Sequence, residues 1–306
     1  MAKKIKTPAE MHSTKIKTST ASKIFDTCNT IFLVALCFVT LYPMWYVLCA
    51  SFTNNVYLVS HPGAVFWPVG FTTGSYSMAF EHPLILSGYK NILIILAVSL
   101  PINIIMTLFC GYFLASKGMM FKGPIQFLIM FTMFFGGGMI PTYLNIRSLG
   151  LFDSLWSLIL PGAISVYNCI ICRTAIQAVP DSLTESAYLD GANDLIIVFR
   201  IILPLIMPTI AVLLLYYGVG HWNSWFPASI YLTDNYKLPI QNILRSILIA
   251  NSNILNSAAT DSDKVNEFAE AIKYSAIVLT TVPVLCIYPF LQKYFVKGVM
   301  VGAVKG

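Results

Sequence analysis

Charge is what this chain has least of. Only 10% of its 306 residues are Asp, Glu, Lys or Arg, 57% are hydrophobic, and mean hydropathy is +0.73. Soluble domains carry roughly 25% charged residues, so this composition argues against one. No GxxxxGK[ST] loop and no HExxH motif occurs, and the four His residues are scattered. Those absences exclude a recognisable nucleotide-hydrolysing or zinc-hydrolase site within the chain. The seven cysteines (28, 37, 49, 110, 169, 172 and 286) all lie in or beside apolar runs, which excludes an extracellular disulfide framework. Cys169 and Cys172 have CxxC spacing, but inside an apolar helix the pair reads as packing rather than as a redox or metal site.

The charges that do occur are segregated. Residues 27–80, 91–116, 123–146, 154–172, 201–233 and 274–292 contain no Asp, Glu, Lys or Arg. Each window contains or approaches the roughly 20 apolar residues needed to cross a bilayer. The expected fold is therefore an all-α membrane protein of about six transmembrane helices, with a basic tail at 1–23 and one membrane domain at 24–306. The first apolar run is too long, and lacks the small-residue cleavage pattern, for a removable signal peptide. If the tail lies inside, thirteen of the 19 basic residues share that side, including Lys117, Lys122, Arg173, Arg200, Lys293, Lys297 and Lys305. The basic excess favours both termini on the cytoplasmic face.

Breakers punctuate the spans. The first, about 24–51, is expected to break at Tyr42-Pro43. An outer segment at 52–88, rich in turn formers and aromatics, is expected to lie along the membrane surface. The second span, 89–116, carries Pro101 and Asn103, which read as helix-packing devices ahead of ligands. Gly136-Gly137-Gly138 predicts a bend in the third span at 124–146. The fourth, 154–176, holds Pro161-Gly162 and Asn168. The fifth, 196–220, ends in the run 221–226 (HWNSWF), which suits an interfacial aromatic belt or, alternatively, stacking on a sugar ring. The largest outer segment, about 227–273, contains an amphipathic pattern at 238–254, with Ile240, Ile243, Leu244, Ile247 and Leu248 at helical spacing. That helix reads either as interfacial or as a docking element for an extracellular partner.

Between the fourth and fifth spans, residues 180–208 (PDSLTESAYLDGANDLIIVFRIILPLIMP) form the most informative stretch. Ser182 and Glu185 have capping-box spacing. Gly191 suits the left-handed position that ends a helix, and Asn193 or Asp194 can cap the next one. Pro204 and Pro208 should interrupt or kink the apolar helix beyond that cap. The prediction is a short helix, a tight turn and a bent helix rising into the membrane. With no Asp, Glu, Lys or Arg inside any window, an ion-coupled carrier is disfavoured and an uncharged, aromatic and amide-lined route for a neutral polar solute is favoured. Weak pathway candidates are Trp45, Asn103, Asn168, Trp222, Asn223 and Trp225. An ATP-driven action would have to borrow a separate ATPase.

Glu185-Ser186-Ala187, then Asp190-Gly191-Ala192 and the Leu203-Pro204-Leu205 run with Pro208, resemble the EAA signature of binding-protein-dependent ABC importer permeases. Ser186 stands where the family has its first Ala. The runs at 137–143, 220–225 and 288–298 are similar to the maltose-type carbohydrate branch, near permeases for polysaccharide-derived oligosaccharides in Gram-positive bacteria. The resemblance implies the type I ABC importer permease fold, with Glu185, Ser186, Ala187, Asp190, Gly191 and Ala192 on a cytoplasmic coupling helix within a loop of about 180–200. It implies an ATPase-contacting tail that includes Lys297, Gly298 and Lys305. It also implies a second homologous permease, two ATPase subunits that bind the ATP and Mg, and an extracellular lipid-anchored solute-binding protein. The chain itself would be non-catalytic, without cofactor or metal, in contact with membrane lipid and not with nucleic acid. Alternatives are an ABC permease for a peptide, amino acid or glycerophosphodiester, and an ion-coupled secondary carrier.

Overall fold

A computed structural model describes residues 19–61, 63–256, 272–287 and 289; residues 1–18 of the expected tail at 1–23, and Lys297, Gly298 and Lys305, lie outside the described residues. Those residues are mostly helical, and no strand is found among them. The first helix, α1 (Thr20–Ser51), is capped by the Ser19 hydroxyl and runs unbroken through Pro43, against expectation. Proline removes one backbone donor, but in hydrocarbon every other backbone group needs an intrahelical partner, so the helix continues past one lost bond. The outer segment folds as α2 (Asn55–Ser60) and α3 (Gly74–Glu81), with Phe66, Trp67 and Phe71 exposed.

The central element is α4 (Pro83–Ala115), whose 33 residues give a rod of about 50 Å. Gly88 and Gly111 let other helices approach its backbone. A Cβ on Gly88 would lie 2.4 Å from Ile243 Cδ1 and 3.1 Å from Ile240 Cα; one on Gly111 would lie 2.8 Å from Cys172 Sγ. The third expected span is α5 (Lys122–Phe134) and α6 (Met139–Ser148), bent by 113° at the glycine run. Gly138, with φ +88°, begins α6.

The fourth expected span is not one helix. It divides into α7 (Trp156–Ile159) and α8 (Val166–Gln177), separated at Pro161-Gly162. A break in apolar surroundings strands backbone groups, and side chains from neighbouring helices satisfy them here. Asn103 Nδ2 donates to the carbonyls of Gly162 (2.7 Å) and Ala163 (3.0 Å), and the Ser165 N–H donates to the Tyr217 hydroxyl at 2.9 Å. Thr107 Oγ1 lies 2.7 Å from that hydroxyl.

Beyond α9 (Asp181–Leu189) the chain forms α10 (Asp194–Ile196), a π-helical stretch (Ile197–Ile202) and α11 (Leu203–Leu205). It then turns by 87° at Ile206 into α12 (Met207–Trp222). Pro204 and Pro208 flank the turn, each lacking the N–H that would continue a regular ladder. After α13 (Trp225–Tyr231) and a 3₁₀ turn (Asn235–Lys237) comes α14 (Ile240–Asn256), and the last described helix is α15 (Ile272–Ile287). Ile240, Ile243 and Ile247 of α14 are buried with Ile85, Ile92, Trp222 and Ala276, so its apolar stripe packs on α4 and α15 instead of on lipid.

Among the described residues α1 and α4 are long and apolar enough to cross a membrane, and each of the two bent pairs passes as one broken span. A bilayer also accounts for the exposed apolar surface of α1 and α5, where Phe38, Val39, Phe127 and Phe134 are open.

Candidate functional site

Two packed clusters lie at opposite ends of α4. Near its C-terminal end, Leu108 packs with Cys172, Ile176, Ala187, Ile197, Val198 and Ile202, and this cluster carries α9. The local chemistry of α9 follows from its sequence. Pro180, at φ −60°, stands at the N-cap, and Asp181 lies in the first turn where the helix dipole favours an anion. The expected capping box of Ser182 and Glu185 does not form, because Pro180 starts the helix early and leaves Ser182 inside its first turn. The C-terminal end closes as a Schellman motif: the Gly191 N–H donates to Tyr188 O (3.0 Å) and the Ala192 N–H to Ala187 O (2.9 Å). Gly191 takes φ +81°, the left-handed position expected of it. Asn193 then caps the next helix through Oδ1, accepting from the Ile196 N–H at 2.9 Å.

The signature residues divide by burial. Ala187 is buried and packs with Ala192, joining the two ends of the motif. Glu185, Ser186 and Asp190 are exposed, and so is Leu189, at 89%. Ser186, the departure from the family pattern, therefore places its hydroxyl in solvent; its carbonyl accepts the Asp190 N–H. Sequence reasoning missed the clamp that holds α9. The hydroxyls of Tyr112 (2.8 Å) and Tyr188 (2.5 Å) both donate to Asp194 Oδ1, and Lys117 Nζ pairs with Asp181 at 2.5 Å. The Asp194 carboxylate raises the Tyr188 pKa, and Asp181 raises that of Lys117. A tyrosine at 112 and one at 188 carry no local signal that they meet. Between α9 and the end of α4 lies a cleft of about 430 Å³, lined by Ser116, Lys117, Gln177, Asp181, Glu185 and Tyr188. The arrangement fixes a rigid, exposed helix to the membrane rods and pairs no base with a nucleophile.

The six pathway candidates do not converge. Asn103 is fully buried, its amide spent on the α7–α8 break and its Oδ1 3.0 Å from His221 Nε2. Trp222 is buried rather than at a surface belt, and its Nε1 donates to Thr280 O at 3.2 Å. Asn168 is buried on α8. Trp45 lies on α1, donating from Nε1 to Phe66 O at 2.9 Å and flanked by Trp67. Asn223 and Trp225 are exposed at the far end of α4 from α9. There Asn242 Nδ2 donates to Trp225 O and to Ser229 Oγ, both at 2.8 Å, and the Arg245 guanidinium lies 3.6 Å from the Trp225 ring centroid.

The same end has an ionic staple. Asp153, in the left-handed region at φ +54°, accepts the N–H groups of Thr233 (2.9 Å) and Asp234 (3.1 Å) on Oδ1 and pairs with Lys237 at 2.6 Å. Lys237 and those two N–H groups hold the Asp153 carboxyl well below the usual range, and Asp153 in turn raises Lys237.

Comparison with known proteins agrees with this geometry. Residues 70–301 match the family described as binding-protein-dependent transport system inner membrane component. The chain is 38% identical to Protein LplC of Bacillus subtilis over 299 residues, covering 97% of this chain and 98% of the relative. It is also 38% identical to the polygalacturonan/rhamnogalacturonan transport system permease protein YtcP of the same organism, over 93% of this chain and 99% of the relative. Among solved structures, a chain of a bacterial ABC transporter involved in import of the acidic polysaccharide alginate superposes with a TM-score of 0.82 at 29% identity, covering 91% of this chain and 99% of that one.

Proposed function

The chain belongs to the binding-protein-dependent transport system inner membrane component family, and from that premise we propose that it is the membrane permease subunit of a bacterial ABC importer for a polysaccharide-derived oligosaccharide. The transport systems named for its relatives support that cargo class. In this reading the chain crosses the membrane six times with both termini cytoplasmic. It pairs with a second, homologous permease, and the pathway runs between the two. An extracellular lipid-anchored binding protein delivers the sugar, and two ATPase subunits bind and hydrolyse ATP with Mg.

The observation that carries the reading is α9 itself. It presents Glu185, Ser186, Asp190 and Leu189 to solvent, while Ala187, Ala192 and the Tyr112–Asp194–Tyr188 clamp tie its back to α4. An ATPase cleft closing on that exposed face would move the rods, because α9 cannot yield independently of them. Glu185 meets basic or polar groups of the ATPase, and the tail at 297–306 lies near the interface of the two ATPase subunits. Trp45, Asn168, Asn223 and Trp225 remain the weaker proposals for the sugar route, with Asn103 and Trp222 acting from behind it.

Glu185→Lys tests the assignment. Uptake of the cognate oligosaccharide should fall to background while the amount of chain in the membrane stays the same. Undiminished uptake, with ATPase stimulation intact, would sink it. A glycan panel offered to the companion binding protein identifies the sugar.

A further inference from the structure

Trp225 and Arg245 form a preorganised pair that the coupling mechanism leaves unused. Trp225 opens α13, and its backbone carbonyl is tethered by Asn242 Nδ2 at 2.8 Å. Arg245 stands on the exposed side of α14, three residues beyond that asparagine, and its guanidinium sits directly on the indole face at 3.6 Å. No carboxylate pairs with it among the described residues, whereas Asp153 and Asp234, the acids of the neighbouring loop, are both engaged by Lys237. Stacking on an aromatic face uses the π surface of a guanidinium and leaves its fork of in-plane N–H donors available. That fork matches a carboxylate in bidentate geometry, and the partly open indole beside it, with Phe226 edge-on, offers an apolar wall for a sugar ring.

We propose that Arg245, stacked on Trp225, is a carboxylate-reading residue that gives the importer a preference for oligosaccharides containing uronic acid. The inference rests on the oligosaccharide reading and narrows it. Arg245 meets the acidic sugar at the end of the molecule opposite α9, where cargo enters. The nearby Asn242, whose Oδ1 is buried without a partner, holds the pair in place through its amide nitrogen. The wall discriminates little between sugars; the charge-assisted fork discriminates strongly.

The test is uptake by the assembled importer in proteoliposomes, supplied with its binding protein, of tri-galacturonic acid and of its fully methyl-esterified form at pH 7. The two probes share rings and linkages and differ in charge. Arg245→Gln should lower the ratio of acid to ester uptake about tenfold or more. Arg245→Lys, which keeps the charge and loses the fork, should restore part of it. An unchanged ratio in Arg245→Gln overturns the proposal. Loss of both probes in parallel also overturns it, because Arg245 would then serve docking of the binding protein. If the wild type carries only the ester, the uronate inference fails and the oligosaccharide reading stands. If it carries neither trimer, the uronate inference fails, and the oligosaccharide reading fails with it only if neutral oligosaccharides are not carried either.

Discussion

The Ala192 N–H donates to the Ala187 carbonyl at 2.9 Å, so two alanines of the EAA-type signature are opposite ends of one closed turn. Both also pack into the cluster beneath α9, while Asp190 between them and Glu185 ahead of them carry the exposed charge. The signature thus encodes a conformation as much as a contact surface. Gly191 sits between the two at φ +81°, with open space where a Cβ would go.

Gly191→Ala therefore meets backbone strain and nothing else, about 1–2 kcal/mol for an L-residue held in the left-handed region. Gly191→Asn should be milder, because asparagine tolerates that region. Parallel measurements of thermal stability and uptake should rank the three as Gly, Asn, Ala. Equal uptake by all three would show that the turn does not matter for coupling.

Gly88 presents the opposite case. A methyl there would press on Ile243 Cδ1 at 2.4 Å and on the Ile240 backbone, so Gly88→Ala should destabilise by roughly 1–3 kcal/mol. Trimming Ile243 to Ala relieves only the side-chain clash and leaves Ile240 in place. The double variant should recover little in a thermal melt. Gly136→Ala, which meets nothing within 4 Å, is the control.

Asn103→Leu removes the donor shared by Gly162 and Ala163 and the partner of His221. The two carbonyls lose their donor in the apolar surroundings of the span, so the expected loss is about 1–3 kcal/mol. A thermal melt should show that loss. An unchanged melting temperature would mean that the break satisfies itself.

The Asp153–Lys237 staple has a pH signature. The folded Asp153 pKa is depressed, so its stabilisation is complete above the unfolded value of about 3.9 and is lost as pH falls through the folded value. Lys237 is raised, so its share is complete below about 10.4 and disappears as pH rises through its folded value. Asp153→Asn should be less stable than wild type at neutral pH, and the gap should narrow in strong acid. A gap that stays constant down to low pH would contradict the assignment.

Periodicity and breakers carried much of the architecture. The bend at Gly136-Gly137-Gly138, the Gly191 turn, the Asn193 cap, the interruption at Pro204 and Pro208 and the apolar stripe of α14 are all local patterns, and each is found where it was expected. What escaped was non-local. Pro161-Gly162 announces a possible break, but only Asn103 and Tyr217, distant in sequence, make the break tolerable inside a membrane. Ser182 and Glu185 have the right spacing for a box that Pro180 pre-empts. Trp222 reads as a belt residue until Thr280 supplies a buried acceptor for its indole. Arg245 sits in an amphipathic helix like any surface cation, and its stacking on Trp225 depends on how α13 meets α14.

Asn103 and Thr107 lie in the C-terminal half of α4, both fully buried and both bonded to neighbouring elements. A stiff rod gripped there is a lever, and the grip is its fulcrum. With arms of about 33 Å toward Pro83 and about 15 Å toward Ala115, a tilt of about 10° would carry the two ends roughly 6 Å and 3 Å in opposite directions. A stroke delivered at the α9 end would thereby be inverted, and about doubled, at the α13–α14 end without any helix changing length.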